Sequence, residues 1–532
     1  MLAHADKFVL RSLDYKIHNL NQLSHDDSVD PITRASVSVQ KFGKLGESEV
    51  ITPRDICNDM ICMIDDADWL SVIENGNKIL DIAGKAGEFA LAIFEKYTAL
   101  GYDIGTLKNL ICTIPTSGIT YEFTRMIYEI LGLNTDNIAI HFTSYDILET
   151  RNDDGNINYA KIKMLLGQNK PFSDITMKEE ITEGEKIVNF DVIVGNPPYQ
   201  EIVGNEASNK ALGKQLFPYF IMASARIANL SCLITPSRWF TGNGQDGSFP
   251  KLREFAFNNN HFKKITNHLT NDVFQGISVG SINYYLYDNS YVGDVEFKEV
   301  VGNSINSVKR PLFEQGMDKI LPMNIMSYYI KKVQGHPEFK SLTEITTSRN
   351  PFGVPDSNAR LLSVSSKQKD KTHTIPMLCA FEEIMYVAPD IVRRNTDIFA
   401  KWKIFTSKMN GGAGTLFDDK KVSIIGRSFV GEPNTICSGA LIAIGSFDTR
   451  CEAENLKKYM ETKFLRFMVG LMKSSQALYQ NVYQFVPMQD FTANSNIDWS
   501  KTISEIDVQL YAKYNLTAEE IAFIESKVKE ME

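Results

Sequence analysis

The sequence lacks the features that mark several broad protein classes. It contains no run of 18 apolar residues, and its first ten residues, MLAHADKFVL, do not form a signal-peptide pattern. We therefore expect neither a membrane span nor export. The seven cysteines are odd in number and never spaced CxxC, at positions 57, 62, 112, 232, 379, 437 and 451. This argues against a disulfide framework and a zinc site, and it predicts a reducing, cytoplasmic environment without a bound metal.

The chain also lacks an excess of positive charge. Its net charge is −9 and its pI is near 5.6, which counts against a protein that binds nucleic acid over its whole surface. Net charge conceals local patches, however. Residues 401–475 carry 12 Lys and Arg against 7 Asp and Glu, so charge alone leaves nucleic-acid binding open.

What the sequence does contain is an alternation of apolar runs and amphipathic helical patterns from residue 47 to about 300. The seven clearest runs are KILDIA (78–83), NLICTIP (109–115), NIAIHF (137–142), FDVIVG (190–195), LSCLITP (230–236), FKKITNHL (262–269) and INYYLYD (282–288). Helical patterns such as 87–101 and 121–133 lie between them. This order predicts an α/β fold with a doubly wound, mostly parallel, seven-stranded sheet.

The rest of the 532-residue chain is less regular, and its length predicts two folded units. Residues 1–46 are polar and form an N-terminal segment. We predict a first domain over 47–300, a connector over 301–345 and a second domain of the α+β class over 346–532.

One candidate ligand loop follows the first apolar run, in KILDIAGKAGEFA (78–90). Asp81 lies in the strand, and Gly84 and Gly87 come just before a helix. Small residues let the backbone approach a bound nucleoside, and a helix N-terminus favours a carboxylate. Tight strand-to-helix turns also carry glycine for geometry alone, so both interpretations stay open here.

Two further positions are weak in isolation. Thr52-Pro53 begins an amphipathic helix, which is a normal N-cap and N1 pair. Asp146 follows the run that ends at 142 and reads equally well as a solvated loop aspartate.

The most informative stretch is GNPPYQ (195–200), directly after an apolar run. Two prolines end the strand because neither can donate a ladder hydrogen bond. The Asn196 side-chain oxygen and the Pro197 carbonyl can each accept one N–H of an aromatic amine, whose lone pair is otherwise delocalised into the ring. Preorganised acceptors of this kind lower a reaction barrier. Tyr199 offers a ring face on which a flat base or an amide can stack.

The order Thr52-Pro53, Asp81 loop, Asp146 and Asn196-Pro-Pro-Tyr resembles that of adenine-N6 DNA methyltransferases of the NPPY (gamma) class. It is most similar to the large methylases of type II restriction–modification systems. The resemblance extends to LITPSRWF (233–240), to the hairpin VFQGISVGSINYYLYD (273–288) and to C-terminal phrases such as VYQFVPMQDF (482–491).

The resemblance implies S-adenosylmethionine as the cofactor, transfer to the N6 amine of a flipped adenine, and double-stranded DNA as the partner. The cofactor residues it implies are Thr52, Pro53, Asp81, Ala83, Gly84, Gly87, Asp146 and Asn196. The catalytic residues it implies are Asn196, Pro197, Pro198 and Tyr199. Phe274 would stack on the other face of the base, with Tyr284 as the second choice.

Two positions depart from the family pattern. The loop usually reads like DPACGSG, whereas DIAGKAG places Lys85 where glycine is usual. The second apolar run also ends without the acidic residue that often binds the ribose.

Two alternatives follow from these observations. The chain could be a methyltransferase-like DNA-binding subunit whose cofactor loop has decayed, or an enzyme that methylates a glutamine amide nitrogen. An additional nuclease activity is not predicted, so any restriction endonuclease would be a separate protein.

Overall fold

The computed structural model describes most of the chain, which divides into two compact units, Met1–Pro322 and Met323–Glu532. Of the predicted N-terminal segment, most lies outside the described residues. The predicted connector, 301–345, is split between the two units. The described residues are 18, 22, 25–26, 28–40, 50–152, 156–172, 190–200, 214–244, 246–270, 273–274, 280–354, 358–410, 416, 421–473 and 478–531, with only the backbone described at 358–360 and 381.

The first unit alternates strands and helices over most of its length. Its described strands and helices are, in chain order, α1 Pro31–Gln40, α2 Arg54–Cys62, α3 Asp66–Glu74, β1 Lys78–Gly84, α4 Glu88–Ala99, α5 Ile104–Leu107, β2 Ile111–Pro115, α6 Gly118–Leu131, α7 Ser144–Glu149, α8 Tyr159–Gly167, β3 Phe190–Gly195, α9 Phe217–Ile227, β4 Ala228–Pro236, α10 Ser248–Asn259, β5 Phe262–His268, β6 Ile282–Asp288, β7 Val295–Val301 and β8 Ser304–Arg310.

These strands form one sheet in the order β2-β1-β3-β4-β6-β5-β7-β8. Four neighbouring pairs are parallel and three, β4–β6, β5–β6 and β7–β8, are antiparallel. The chain passes from β1 to β2 on one side and then to β3 on the other side of β1, so the strand order reverses at β1. In open α/β sheets, ligands bind in the crevice outside the carboxyl ends of the strands at such a reversal.

Both faces of the sheet are covered, as a doubly wound fold requires. Val192 and Val194 pack in one apolar cluster with helices α2, α4 and α6, whereas Ile193 packs in a second cluster with α9 and α10. Because successive side chains of a strand point to opposite faces, alternate residues of β3 supply the two cores. The predicted α/β class and double winding are confirmed.

The strand count differs from the prediction in two places. Residues 137–142 do not form a strand: a 3₁₀ turn occupies Thr135–Asn137, and a single parallel bridge joins Ile138 to Thr113 beyond the edge strand β2. Conversely, β7 and β8 form a hairpin inside the region read as the end of the domain and the connector. Strand β8 is mostly exposed and polar, so it lacks the apolar alternation that marks a strand.

The second unit contains two small sheets and several helices, in agreement with the α+β prediction. Its sheets have the strand orders β14-β10-β11-β9 and β13-β12-β15. Its described elements are α11 Asn324–Gln334, α12 Asn358–Val364, β9 Ser365–Ser366, β10 Ile375–Leu378, β11 Ile384–Val387, α13 Thr396–Phe399, β12 Trp402–Ser407, β13 Ser428–Gly431, β14 Ile436–Cys437, β15 Leu441–Phe447, α14 Arg450–Glu461, α15 Lys463–Met472, α16 Ile503–Lys513 and α17 Ala518–Lys527.

The described residues lack two special features. Among the described residues, no helix is both long enough and apolar enough to cross a bilayer. The same residues contain no group of three or more His, Cys, Asp or Glu side chains placed to hold a metal ion. All seven cysteines are free thiols.

Candidate active site

The candidate site lies at the carboxyl ends of β1 and β3, where the strand order reverses. The segment Val50–Pro53, the loop that follows β1 and the residues after β3 meet there. Hydrogen bonds join all three segments through Thr52, Lys85 and Asn196. The structure therefore brings together three of the sequence motifs: Thr52-Pro53, the Asp81 loop and Asn196-Pro-Pro-Tyr.

The Asn196 side chain is held by both of its amide N–H groups. Its Nδ2 atom donates to the Val50 carbonyl at 3.2 Å and to the Thr52 hydroxyl at 3.1 Å. A carbonyl oxygen can only accept, so the NH₂ group, and not the oxygen, must face Val50. The Oδ1 atom of Asn196 consequently points away from Val50 and remains the acceptor for a ligand.

Thr52 is itself fixed by the helix that follows the loop. Its backbone N–H donates to Glu88 Oε1 at 3.4 Å, and Glu88 Oε2 accepts from the backbone N–H of Ala86 at 2.9 Å. Glu88 opens α4 and is buried. Sequence reasoning missed this residue because an acidic residue in a first helical turn is common for reasons of helix stability alone. Helix α2 begins one residue later than predicted: Pro53 is its N-cap instead of its first residue, so Thr52 lies before the cap.

Lys85 occupies the centre of this arrangement. Its side chain is 2% exposed, and its ammonium donates to the Val50 carbonyl and to the Asn196 carbonyl, each at 2.9 Å. The position where the family resemblance expects glycine thus holds a buried cation between two of the motifs.

Asp81 is fully buried and has one carboxylate oxygen in use. Its Oδ1 accepts from the Ala83 N–H at 3.2 Å, whereas Oδ2 has no hydrogen-bond partner among the described residues. Burial raises the pKa of Asp81 well above its ordinary value, and the Glu88 charge adds to the effect. The Ala83 N–H and the Lys85 charge oppose it. A buried carboxylate with an unused oxygen is a ready acceptor for a charged donor such as an amino group.

The two loop glycines are required by the backbone and by close neighbours. Gly87 has a φ of +74°, and a Cβ there would lie 2.9 Å from the Cβ of Ile127. A Cβ at Gly84 would lie 2.2 Å from Thr113 Cγ2. These contacts explain both glycines by packing and conformation, so they do not by themselves identify a ligand.

Asp146 has a structural task at the start of α7. Its Oδ2 accepts from the backbone N–H of Thr143 at 2.6 Å and from the Thr143 hydroxyl at 2.9 Å, which forms a capping box. One of its oxygens is therefore committed to the helix. Its implied role near a cofactor adenine stays a prediction.

The Pro-Pro-Tyr residues form a rigid exit from β3. Pro197 and Pro198 are buried and Tyr199 is half-buried. The Tyr199 carbonyl accepts from the Leu216 N–H at 3.1 Å, and its ring meets the Phe217 ring edge-on at 6.3 Å. The Tyr199 hydroxyl is buried with no partner among the described residues, and burial raises its pKa. The hydroxyl end is therefore inside the protein, although the residue as a whole is only half-buried.

The two candidates for the opposite ring face are both buried. Phe274 is 2% exposed and packs in the same apolar cluster as α2 and α4. Its neighbours 271–272 and 275–279 lie outside the described residues. Tyr284 is 1% exposed, and its hydroxyl donates to Asp59 Oδ2 on α2. Tyr284 is thus engaged in the core.

Some of the Lys and Arg residues that give 401–475 its excess of positive charge are buried and have structural roles. Lys403, Arg466 and Lys473 are each at most 2% exposed and donate to backbone carbonyls. Burial lowers the pKa of Lys403 and of Lys473 to about 8. These three cations are not available to bind phosphate, so the charge count overstates any nucleic-acid surface here.

Comparison with known proteins agrees with the motif reading. Residues 120–274 match the family model of the Eco57I restriction-modification methylase. The matched segment contains Asp146, the Asn196–Tyr199 motif and Phe274, and it begins after the Asp81–Gly87 loop. The predicted resemblance to restriction–modification methylases is therefore confirmed over this segment, which is less than a third of the chain.

A curated relative and several solved structures are also similar. An uncharacterized adenine-specific methylase of Mycoplasma pneumoniae (strain ATCC 29342 / M129 / Subtype 1) is 29% identical over 135 residues, which are 24% of this chain and 31% of the relative. The match thus spans less than a third of that relative's length.

Two of the similar solved structures extend over 93% of this chain. The type IIL restriction-modification enzyme MmeI, solved in complex with DNA, has 10% identity, 80% of its chain covered and a TM-score of 0.42. The type IIG restriction endonuclease BpuSI has 11% identity, 67% of its chain covered and a TM-score of 0.38. These TM-scores are too low to support an argument about the site.

Proposed function

We propose that the protein is a DNA methyltransferase that modifies the N6 amine of a flipped adenine in double-stranded DNA, as part of a restriction–modification or similar system. The observation that carries the proposal is the orientation of Asn196, whose two amide N–H groups are both engaged. The family match over residues 120–274 includes this motif and supports the assignment. In this proposal the first unit is catalytic, and the second unit recognises the target sequence.

The arrangement suits a nitrogen that is a poor nucleophile. The lone pair of an adenine amine is delocalised into the ring. When Asn196 Oδ1 and the Pro197 carbonyl each accept one N–H, the nitrogen shifts toward tetrahedral geometry and its lone pair becomes available. The prolines fix the direction of the second acceptor. Acceptors that are already in place need no reorganisation during the reaction, which is where such sites lower a barrier.

The residues of the loop after β1 fit the amino-acid end of S-adenosylmethionine. The buried, unpartnered Oδ2 of Asp81 suits an ammonium group, and the absence of side chains at Gly84 and Gly87 leaves the loop backbone compact. Thr52, Pro53, Ala83 and Asp146 are proposed to complete the cofactor site. When bound, S-adenosylmethionine would supply an electrophilic methyl group on its sulfonium sulfur.

The target base would stack on the ring of Tyr199, which is half-buried. Removing a base from the duplex costs a few kcal/mol, so about that much stabilisation must come from the site. Phe274 remains the proposed partner for the other face, although its side chain would have to leave the apolar cluster to reach a base.

A direct test uses the purified protein, S-adenosylmethionine with an isotopically labelled methyl group and mixed-sequence duplex DNA. The DNA is then digested and its nucleosides are separated by mass spectrometry. The proposal expects the label in N6-methyladenine. Label in cytosine, or in a protein glutamine with none in DNA, would contradict it.

One observation favours a second candidate, a DNA-binding subunit without catalytic activity. The buried Lys85 cation lies in the loop that would receive a positively charged cofactor. Titration calorimetry with S-adenosylmethionine separates the two candidates. Absence of binding heat and of a thermal shift, together with retained DNA binding, would favour the inactive subunit.

A further inference from the structure

Lys85 is connected to Asn196 in two ways. Its ammonium donates directly to the Asn196 backbone carbonyl at 2.9 Å. It also donates at 2.9 Å to the Val50 carbonyl, the same oxygen that accepts from Asn196 Nδ2 at 3.2 Å. Lys85 therefore fixes the main chain of Asn196 and also one of the two acceptors that orient its side chain.

This geometry bears on the next peptide along the chain. The Asn196 carbonyl belongs to the peptide that joins Asn196 to Pro197, so fixing it also orients that peptide plane, from which the Pro197 residue continues. One ammonium thus acts on the anchor of the Asn196 side chain and on the peptide that leads to the Pro197 carbonyl. A glycine at position 85 has no group that could do this.

Burial makes these two contacts effective. At 2% exposure, Lys85 is shielded from water, and its charge opposes the rise in the pKa of the buried Asp81 carboxyl. Hydrogen bonds from a charged donor in such surroundings are stronger and more directional than those of a neutral group in water. An apolar side chain of similar length, such as methionine, would leave the Asn196 carbonyl without this donor.

We propose that Lys85 is a positioning residue for methyl transfer, which orients Asn196 and the peptide that leads to Pro197 from the position where the family pattern has glycine. This inference rests on the proposed function. It opposes the alternative in which Lys85 marks a cofactor loop that has lost its function, because here the ammonium contributes to methyl transfer.

The test compares Lys85→Met, Lys85→Gln and Lys85→Gly with the wild type. Single-turnover kinetics gives the rate of transfer, and calorimetry gives the Kd for S-adenosylmethionine. Loss of hydrogen bonds from a charged donor should slow transfer by about ten- to a hundredfold. We expect the rate to fall in the order Lys, Gln, Met, with Gly lowest, while the Kd does not follow that order.

The matched control is Lys403→Met. Lys403 is another buried lysine, and its ammonium donates to the carbonyls of Phe399, Lys401 and Glu432. Its loss should lower the melting temperature and leave the transfer rate of the folded protein unchanged. If Lys85→Met does not fold, Lys85→Gln carries the same comparison, since its amide keeps a donor.

Each outcome has a distinct meaning. A slower transfer with an unchanged Kd supports the positioning role. An unchanged rate in Lys85→Met or Lys85→Gln, or faster transfer and tighter cofactor binding in Lys85→Gly, would overturn it. If the wild type itself transfers no methyl group to DNA, the proposed function fails before Lys85 is tested, so the two failures are distinguishable.

Discussion

The side-chain amide of Asn196 donates to the hydroxyl of Thr52 at 3.1 Å across 144 residues of sequence. The contact joins the segment before the first strand to the exit of the third. It gives Thr52 a role in the site, because its hydroxyl is one of two acceptors that determine which way the Asn196 oxygen points.

Thr52→Val should therefore slow methyl transfer. Valine keeps the shape of threonine but cannot accept the Asn196 N–H, so the amide loses one of its two anchors. A lost hydrogen bond of about 1 kcal/mol corresponds to a rate decrease of about fivefold. Single-turnover rates measure the effect.

Thr124→Val is the control for Thr52→Val. Thr124 on α6 is also fully buried, but its hydroxyl has no partner among the described residues. Removing an unsatisfied buried hydroxyl should keep or raise stability and leave the rate unchanged. Equal rates in the two variants would show that the Thr52 hydroxyl does not orient Asn196.

Asp81→Asn should stabilise the protein while weakening cofactor binding. Asp81 is fully buried, and its pKa in the folded protein lies well above the ordinary 3.8. The folded carboxyl therefore holds a proton more readily than the unfolded one. Stability is lost as the pH rises from about 3.8 through the folded pKa, with a slope of at most about 1.4 kcal/mol per pH unit for one group.

Urea unfolding of wild type and Asp81→Asn between pH 5 and pH 8 measures this effect. The advantage of the variant in free energy of unfolding should grow with pH. Its Kd for S-adenosylmethionine should rise, because an amide replaces the carboxylate that would receive the amino group. A variant that is less stable at pH 8, or that binds the cofactor as tightly as wild type, would contradict this account.

Replacement of Tyr199 should separate the ring from its hydroxyl. Tyr199→Phe keeps the ring and removes a buried hydroxyl that has no described partner, so activity should persist and stability should not fall. Tyr199→Ala removes the stacking surface and should slow transfer by about tenfold or more, since base stacking contributes about 1–3 kcal/mol.

Melting temperatures accompany the Tyr199 rates, with Tyr483→Phe as the comparison. The Tyr483 hydroxyl is likewise buried without a described partner, so its removal should change stability in the same direction. A rate lost equally in Tyr199→Phe and Tyr199→Ala would assign the role to the hydroxyl and remove the stacking interpretation.

Gly87→Ala should destabilise the loop more than Gly76→Ala. Both glycines have positive φ, +74° and +65°, but a Cβ at Gly76 meets nothing within 4 Å, whereas one at Gly87 would press on Ile127. The left-handed backbone alone costs about 1–2 kcal/mol with a side chain. Overpacking at Gly87 should add about 1–3 kcal/mol. Equal losses in free energy of unfolding would show that the Ile127 side chain can move aside without a further loss of stability.

The sequence predicted those parts of the fold that have strong local patterns. The strands that end near Asp81 and Asn196 are long apolar runs, and both formed as expected. Residues 137–142 are also apolar, yet only one bridge reaches β2, because strand formation at a sheet edge depends on a neighbour that pattern does not reveal. Strand β8 was not predicted because it is polar. It pairs with β7 through a tight hairpin and not through burial.

The sequence predicted only those site residues whose roles follow from the chemistry of their side chains. Asn196, Thr52 and Asp81 were identified from their motifs. Glu88 was missed, and Lys85 was noted only as a departure from the family pattern, because their partners include backbone groups whose positions depend on three separate segments. The charge excess of 401–475 was only partly informative for a related reason: a count does not show that Lys403 is buried.

The most direct measurement of the central claim is the transfer rate of Asn196→Ala together with its Kd for S-adenosylmethionine. The account predicts that transfer to adenine falls by about a hundredfold or more, while the Kd remains within about threefold of the wild-type value, a difference below 1 kcal/mol. A variant that still methylates adenine at the wild-type rate would contradict the claim that the Asn196 oxygen accepts the amine.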